Sequence, residues 1–122
     1  MVFESFAHVP VTEELLRHVW EGEEDVHLGG HRFGLGRIGK TEFPETWTRE
    51  DVFFALVETL AKPQLIIGCG SPYICDRAVN RVVIRMVLKQ SSEGLRIHAA
   101  YPLFGDGVFR NDPNRKLALP LD

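Results

Sequence analysis

The sequence predicts an α+β domain, N-terminal helices packed on an antiparallel β-sheet, from three observations. Apolar residues recur at helical spacing in two segments before residue 62, two later segments read as strands with the clearer one alternating at period two, and a short turn joins those strands as a hairpin. At 122 residues and 44% apolar, the chain can bury roughly two-thirds of its unfolded surface around one core, so residues 1–122 are read as a single domain.

The first helix starts after Thr12, a side chain suited to capping, with Glu13 and Glu14 favouring the positive helix end. Leu15, Leu16, Val19 and Trp20 make its apolar stripe, and His18 falls at the edge of that stripe. Beyond Gly22 the periodicity is lost through a glycine-rich stretch, which predicts loop or short irregular strand. Thr48 and Asp51 then form a capping box; Phe53, Leu56, Val57 and Leu60 continue at helical spacing, and Lys62-Pro63 stops this central helix.

"QLIIG" follows as a short apolar strand. In "RVVIRMVLK", Val82, Ile84, Met86 and Leu88 share one face, and Arg81, Val83, Arg85, Val87 and Lys89 the other. The turn "QSSEG" leads into "LRIHAAYP", a strand predicted to end at Tyr101 because Pro102 has no N–H for a ladder. Gly105, Gly107 and Asp112-Pro113 mark turns in the tail, where one more short strand is expected.

Charge and composition narrow the function. A net charge of −3 with pI near 5.9 leaves no global electrostatic footprint for nucleic acid, so a polyanion would have to meet a local basic patch. The apolar runs are too short to span a bilayer, and Glu4 stands where a signal peptide would be basic or apolar, which predicts a soluble chain without its own export signal. Cys69 and Cys75 are too few for a disulfide framework and are read as plain thiols.

The chemistry-bearing residues crowd into residues 17–44. "GLGRIGKT", residues 34–41, satisfies both G-x-G-x-x-G and G-x-x-x-x-G-K-[ST], but those patterns cradle phosphate only when an apolar strand delivers the loop and a helix follows it. Here Pro44 blocks the helix where it is required. His27 and His31 have the H-x-x-x-H spacing of a metal pair, with Glu23, Glu24 or Asp25 nearby. Gly29 and Gly30 between them disfavour the helix that would give the spacing meaning. His18 and His31 are an acid–base pair by residue type, since imidazoles titrate near neutral pH; spacing alone does not separate that from a half-buried helix residue and a loop residue. His8 and His98 are read as surface or structural residues, Trp20 and Trp47 as core.

Four ordered blocks, "RHVWEGE", "LGGHRFG", "GKTEFPETWT" and "GLRIHAAYP", carry a resemblance over residues 16–102. Their order and small-residue context resemble the bacterial branch of the EndoU endoribonucleases, toxin nucleases found at the C-termini of contact-dependent inhibition and other polymorphic toxins. The resemblance implies an EndoU, BECR-like RNase fold. It makes His31 the general base, His18 the general acid and Lys40 the electrostatic partner, with Thr48 and Tyr101 orienting substrate. Arg32 and Arg37 in the loop, and Arg81 and Arg85 on the strand face, would bind the substrate backbone.

The implied activity is metal-independent cleavage of RNA, tRNA foremost, to 2′,3′-cyclic phosphate and 5′-hydroxyl ends. No cofactor is implied, DNA lacks the nucleophile, and no membrane is involved. Uridine preference is not carried over. By the same resemblance the chain would be a toxin domain excised from a larger delivered protein, working in the target-cell cytoplasm and neutralised by a cognate immunity protein. The alternative class is a non-catalytic RNA- or protein-binding module on the same fold, which the acidic pI supports.

Overall fold

In the computed structural model, which describes residues 5–68 and 72–121, Thr12 caps helix α1 (Glu13–Trp20) by accepting the Leu15 N–H at 3.1 Å. Leu16 and Val19 are its buried residues. The last-turn carbonyls, which a helix leaves without intrahelical donors, are met by the chain that returns past them: Gly30, His31 and Arg32 donate their N–H groups to the carbonyls of His18, Val19 and Trp20.

Helix α2 (Arg49–Ala61) has the predicted capping box: the Thr48 hydroxyl accepts the Asp51 N–H at 3.2 Å and the Asp51 carboxylate accepts the Thr48 N–H at 2.7 Å. Such a cap contributes about 1 kcal/mol. The buried face is Val52, Ala55, Leu56, Thr59 and Leu60, so the helix is rotated from the expected stripe; Val57 is exposed and Phe54 more so. Apolar residues lie on two adjoining faces of α2, and the period does not choose between them. Thr59 is tolerated inside because its hydroxyl donates to the Ala55 carbonyl at 2.8 Å.

The strands form two antiparallel sheets rather than one. The larger has the order β2 (Leu65–Ile67), β3 (Tyr73–Val79), β4 (Val82–Ser91), β5 (Gly94–Gly105); the smaller has β1 (Thr41–Glu42), β6 (Phe109–Asn111), β7 (Lys116–Ala118), ordered β1-β6-β7. Asn80 and Arg81, at φ 49° and 64°, make the two-residue turn joining β3 to β4. Positive φ at both positions belongs to the turn whose twist matches a hairpin. Strand β3 escapes the sequence reading because Asp76 and Arg77 break its apolar pattern.

The β4–β5 hairpin matches expectation except at its end: β5 runs past Pro102 to Gly105. Proline fits because β5 is the edge of its sheet, and Pro102 sits opposite Ile84 beside a register shift. Val82, Ile84, Met86 and Leu88 face inward as predicted and join the core with Cys75, Leu56, Leu60, Val19 and Phe43. Helix α2 lies against β3 and β4. Trp20 and Trp47 pack half-buried on this core, Trp47 stacking on Phe43 at 5.7 Å. Cys75 is buried, whereas Cys69 and Glu4 lie outside the described residues. Among the described residues no helix is long and apolar enough to cross a membrane.

Candidate functional site

The ladder between the end of α1 and residues 30–32 brings the two histidines together, and Gly29 permits it. At φ 71°, a Cβ on Gly29 would lie 2.3 Å from the His18 carbonyl oxygen and 2.9 Å from His18 Nε2, so a side chain here collides with the helix end. His18 and His31 then line one cleft of about 320 Å³ with Lys40, Thr41 and Tyr101. Four of the five residues assigned catalytic or orienting roles from the sequence, spread from position 18 to 101, are thereby on one wall or another of the same cavity.

His31 is 5% exposed. Its Nδ1 lies 2.7 Å from the Thr41 carbonyl. A carbonyl only accepts, so Nδ1 carries the proton and, in the neutral ring, Nε2 keeps its lone pair. Burial pushes the imidazole down to about 4, against the upward pull of the Thr41 carbonyl, and the charges of Lys40, His18 and Arg37 add to the depression. Tyr101 stacks on the ring at 5.8 Å, and Phe43 meets it edge-on at 6.5 Å.

His18 is held from its opposite side. Its Nδ1 donates to Glu23 Oε2 at 2.9 Å, and Arg17 reaches the same carboxylate at 3.4 Å. The His18 hydrogen bond, outweighing partial desolvation, holds the Glu23 carboxyl below the usual carboxylate range. The sequence offers Glu23 only as a metal ligand; in the structure it orients His18, five residues before it in the chain.

Several expected site residues stand elsewhere. Thr48 is exposed and outside the cleft, its hydroxyl and N–H occupied by the α2 cap. Thr41 is the threonine on the cleft. Arg37 is spent on its own loop, donating to the carbonyls of Glu23, Asp25 and Leu28 at 2.5–3.1 Å. Arg81 sits in the β3–β4 turn and pairs with Asp106 at 2.5 Å. Arg85 forks onto Asp76 at 2.9 and 2.8 Å, a two-point geometry that holds it to the sheet and raises its pKa. In each of these three the guanidinium already has anionic or carbonyl partners, and none of the three lines the cleft. Arg32 is exposed but does not line the cleft.

The glycine-rich loop does cradle an anion, and it is the protein's own. Glu42, wholly buried, accepts the N–H groups of Gly34 and Gly36 at 2.9 and 2.8 Å, together with Asn111 Nδ2 and the Lys116 ammonium. Burial would raise this carboxyl, but the Lys116, Asn111, Gly34 and Gly36 hydrogen bonds outweigh it and bring it to about 2. Strand β1, not a helix, follows the loop. The two donors a phosphate would need are taken, which agrees with reading the double glycine motif as coincidental. Glu42, Asn111 and Lys116 went unread in the sequence because they lie up to 74 positions apart. Among the described residues no three His, Cys, Asp or Glu side chains gather into a metal-holding group.

No family model matches the chain, and no curated protein or solved structure matches it.

Proposed function

We propose that this cleft cleaves RNA by attack of the 2′-hydroxyl on the adjacent phosphate. His31 Nε2 takes the 2′ proton, O2′ bonds to phosphorus, the P–O5′ bond breaks, and His18 Nε2 delivers a proton to the departing O5′. The products are a 2′,3′-cyclic phosphate and a 5′-hydroxyl, with no cofactor consumed. Lys40 supplies positive charge to the phosphorane-like transition state, and Tyr101 supports the His31 ring.

One observation carries the reading: His18, His31, Lys40 and Tyr101, named from sequence blocks far apart in the chain, line a single cleft. The tautomer of His31 adds to it, because a bare Nε2 is what a general base requires. With Glu23 beside Nδ1, an imidazolium at His18 has an anionic partner. An EndoU-like fold, tRNA as substrate, an immunity protein as partner and action in a target-cell cytoplasm remain parts of the same proposal and rest on the resemblance of the four blocks.

Incubation of the purified chain with total tRNA in excess EDTA, followed by mapping of cut sites and end chemistry, tests it. Discrete cuts bearing 2′,3′-cyclic phosphate, absent when either imidazole is removed, are expected. Cuts that persist in both histidine variants would sink the assignment. The engagement of Arg37, Arg81 and Arg85 inside the protein favours the second reading, a non-catalytic binding module. That reading predicts retention of a bound partner with no cleavage in any variant.

A further inference from the structure

Lys40 enters the cleft from a loop with little of its own to fix it. Gly36 and Gly39, at φ 74° and 80°, precede it. Among the described residues its ammonium makes no hydrogen bond or ion pair, so where the charge sits depends on where the backbone is held. The backbone is held by a residue from the opposite end of the chain. Asn111 of β6 accepts the Gly39 N–H at 2.6 Å through its carbonyl and donates its own N–H to the Lys40 carbonyl at 3.0 Å. Its side-chain Nδ2 donates to Glu42 Oε2 at 2.8 Å and reaches the carbonyls of Arg37 and Lys40 at 3.2 and 3.4 Å, while Oδ1 accepts from Lys116 Nζ at 3.0 Å.

The orientation of this amide is fixed by its charged neighbours. Glu42 is an acceptor and Lys116 only donates, so the amide cannot flip without facing oxygen to carboxylate and NH₂ to ammonium. One Nδ2 proton goes to Glu42, and the other is shared by the two loop carbonyls. Asn111 is 4% exposed, and every polar atom it carries is paired.

We infer that Asn111 is the positioning residue for Lys40: it clips both peptide ends of residues 37–40 and is itself locked by the Glu42–Lys116 pair. The inference rests on the reading of Lys40 as the cation of the cleft, and it extends the site to β6, beyond the residues that carried the sequence resemblance. An aspartate in this position is no substitute, since it would set one carboxylate against another.

The test needs no RNA. Lys40, His18 and Arg37 are the cations that depress His31, so the His31 titration, followed by NMR on the full chain, senses where the Lys40 charge lies. Lys40→Met raises the His31 pKa. Asn111→Ser keeps a hydroxyl for Glu42 but gives up the loop carbonyls, and it is expected to raise His31 in the same direction; in the Lys40→Met background it adds nothing. An equal rise in both backgrounds would overturn the inference by showing that Asn111 reaches His31 through another group. No rise in the wild-type background would overturn it as well. Should Asn111→Ser not fold, judged by loss of amide dispersion, Asn111→Thr refills the volume and is read the same way. Failure to cleave RNA would strike the proposed function while leaving this titration result intact.

Discussion

His31 and His18 stand on one cleft under opposite restraints. His31 is 5% exposed and gives its Nδ1 proton to a backbone carbonyl; the His18 side chain is 26% exposed and gives its own to a carboxylate. A carbonyl in a dry site offers no charge to match an imidazolium, so burial disfavours the proton at His31 and leaves a base ready at neutral pH. A carboxylate at a wetter site can face an imidazolium without leaving it unpaired. Two copies of one side chain are thus given distinct electrostatic settings by the groups behind them.

The largest effect that would break this contrast is loss of the base. His31→Ala is expected to lower single-turnover cleavage of tRNA by about 10²–10⁴-fold, the usual contribution of a positioned proton acceptor. A loss below tenfold would mean that the ring merely fills space.

Next is the dependence of stability on pH. His31 falls from 6.5 unfolded to about 4 folded. The unfolded chain therefore binds more protons between those values, and folding stability rises with pH across that window by about 3 kcal/mol. It is fully present above pH 6.5 and lost as pH falls through 4. Urea unfolding at pH 4, 5 and 6.5 reads it directly, and His31→Phe should flatten the rise. Glu42, brought from 4.5 to about 2, acts with the same sign in the lower window.

A smaller effect falls on the junction between the histidines. Gly29→Ala places a Cβ against the His18 carbonyl at positive φ and should cost about 2 kcal/mol of stability, read as a lowered denaturation midpoint with unchanged slope. Smallest of all, Glu23→Gln keeps an acceptor for His18 Nδ1 while removing the charge. A few-fold loss of cleavage is expected, and no loss would show that the carboxylate's charge is idle.

Local chemistry made both helices and the β4–β5 hairpin legible: the Thr12 and Thr48 caps, the Pro63 stop and the alternation of Val82 to Leu88 need only near neighbours. The face of α2 was misjudged because apolar residues occupy two sides of it, and tertiary packing chose Val52 over Val57. Strand β3 stayed hidden because Asp76 is matched only across the sheet by Arg85. His18, His31, Lys40 and Tyr101, singled out from separate blocks of the sequence, line one cleft. The arginines were not placed, since a charge on a sequence does not disclose whether the fold has already supplied its partner.

Glu42 and Lys116 are separated by 74 positions, and that distance is also an interval of time during synthesis. At about 5–20 residues per second, the ammonium follows the carboxylate by about 4–15 s. Until then a nascent chain has the glycine loop and both histidines but neither the counter-charge for Glu42 nor the amide that clips the lysine loop. A chain made only as far as the two histidines therefore lacks the groups that lock its glycine loop, and the cleft cannot be completed until β6 and β7 have followed.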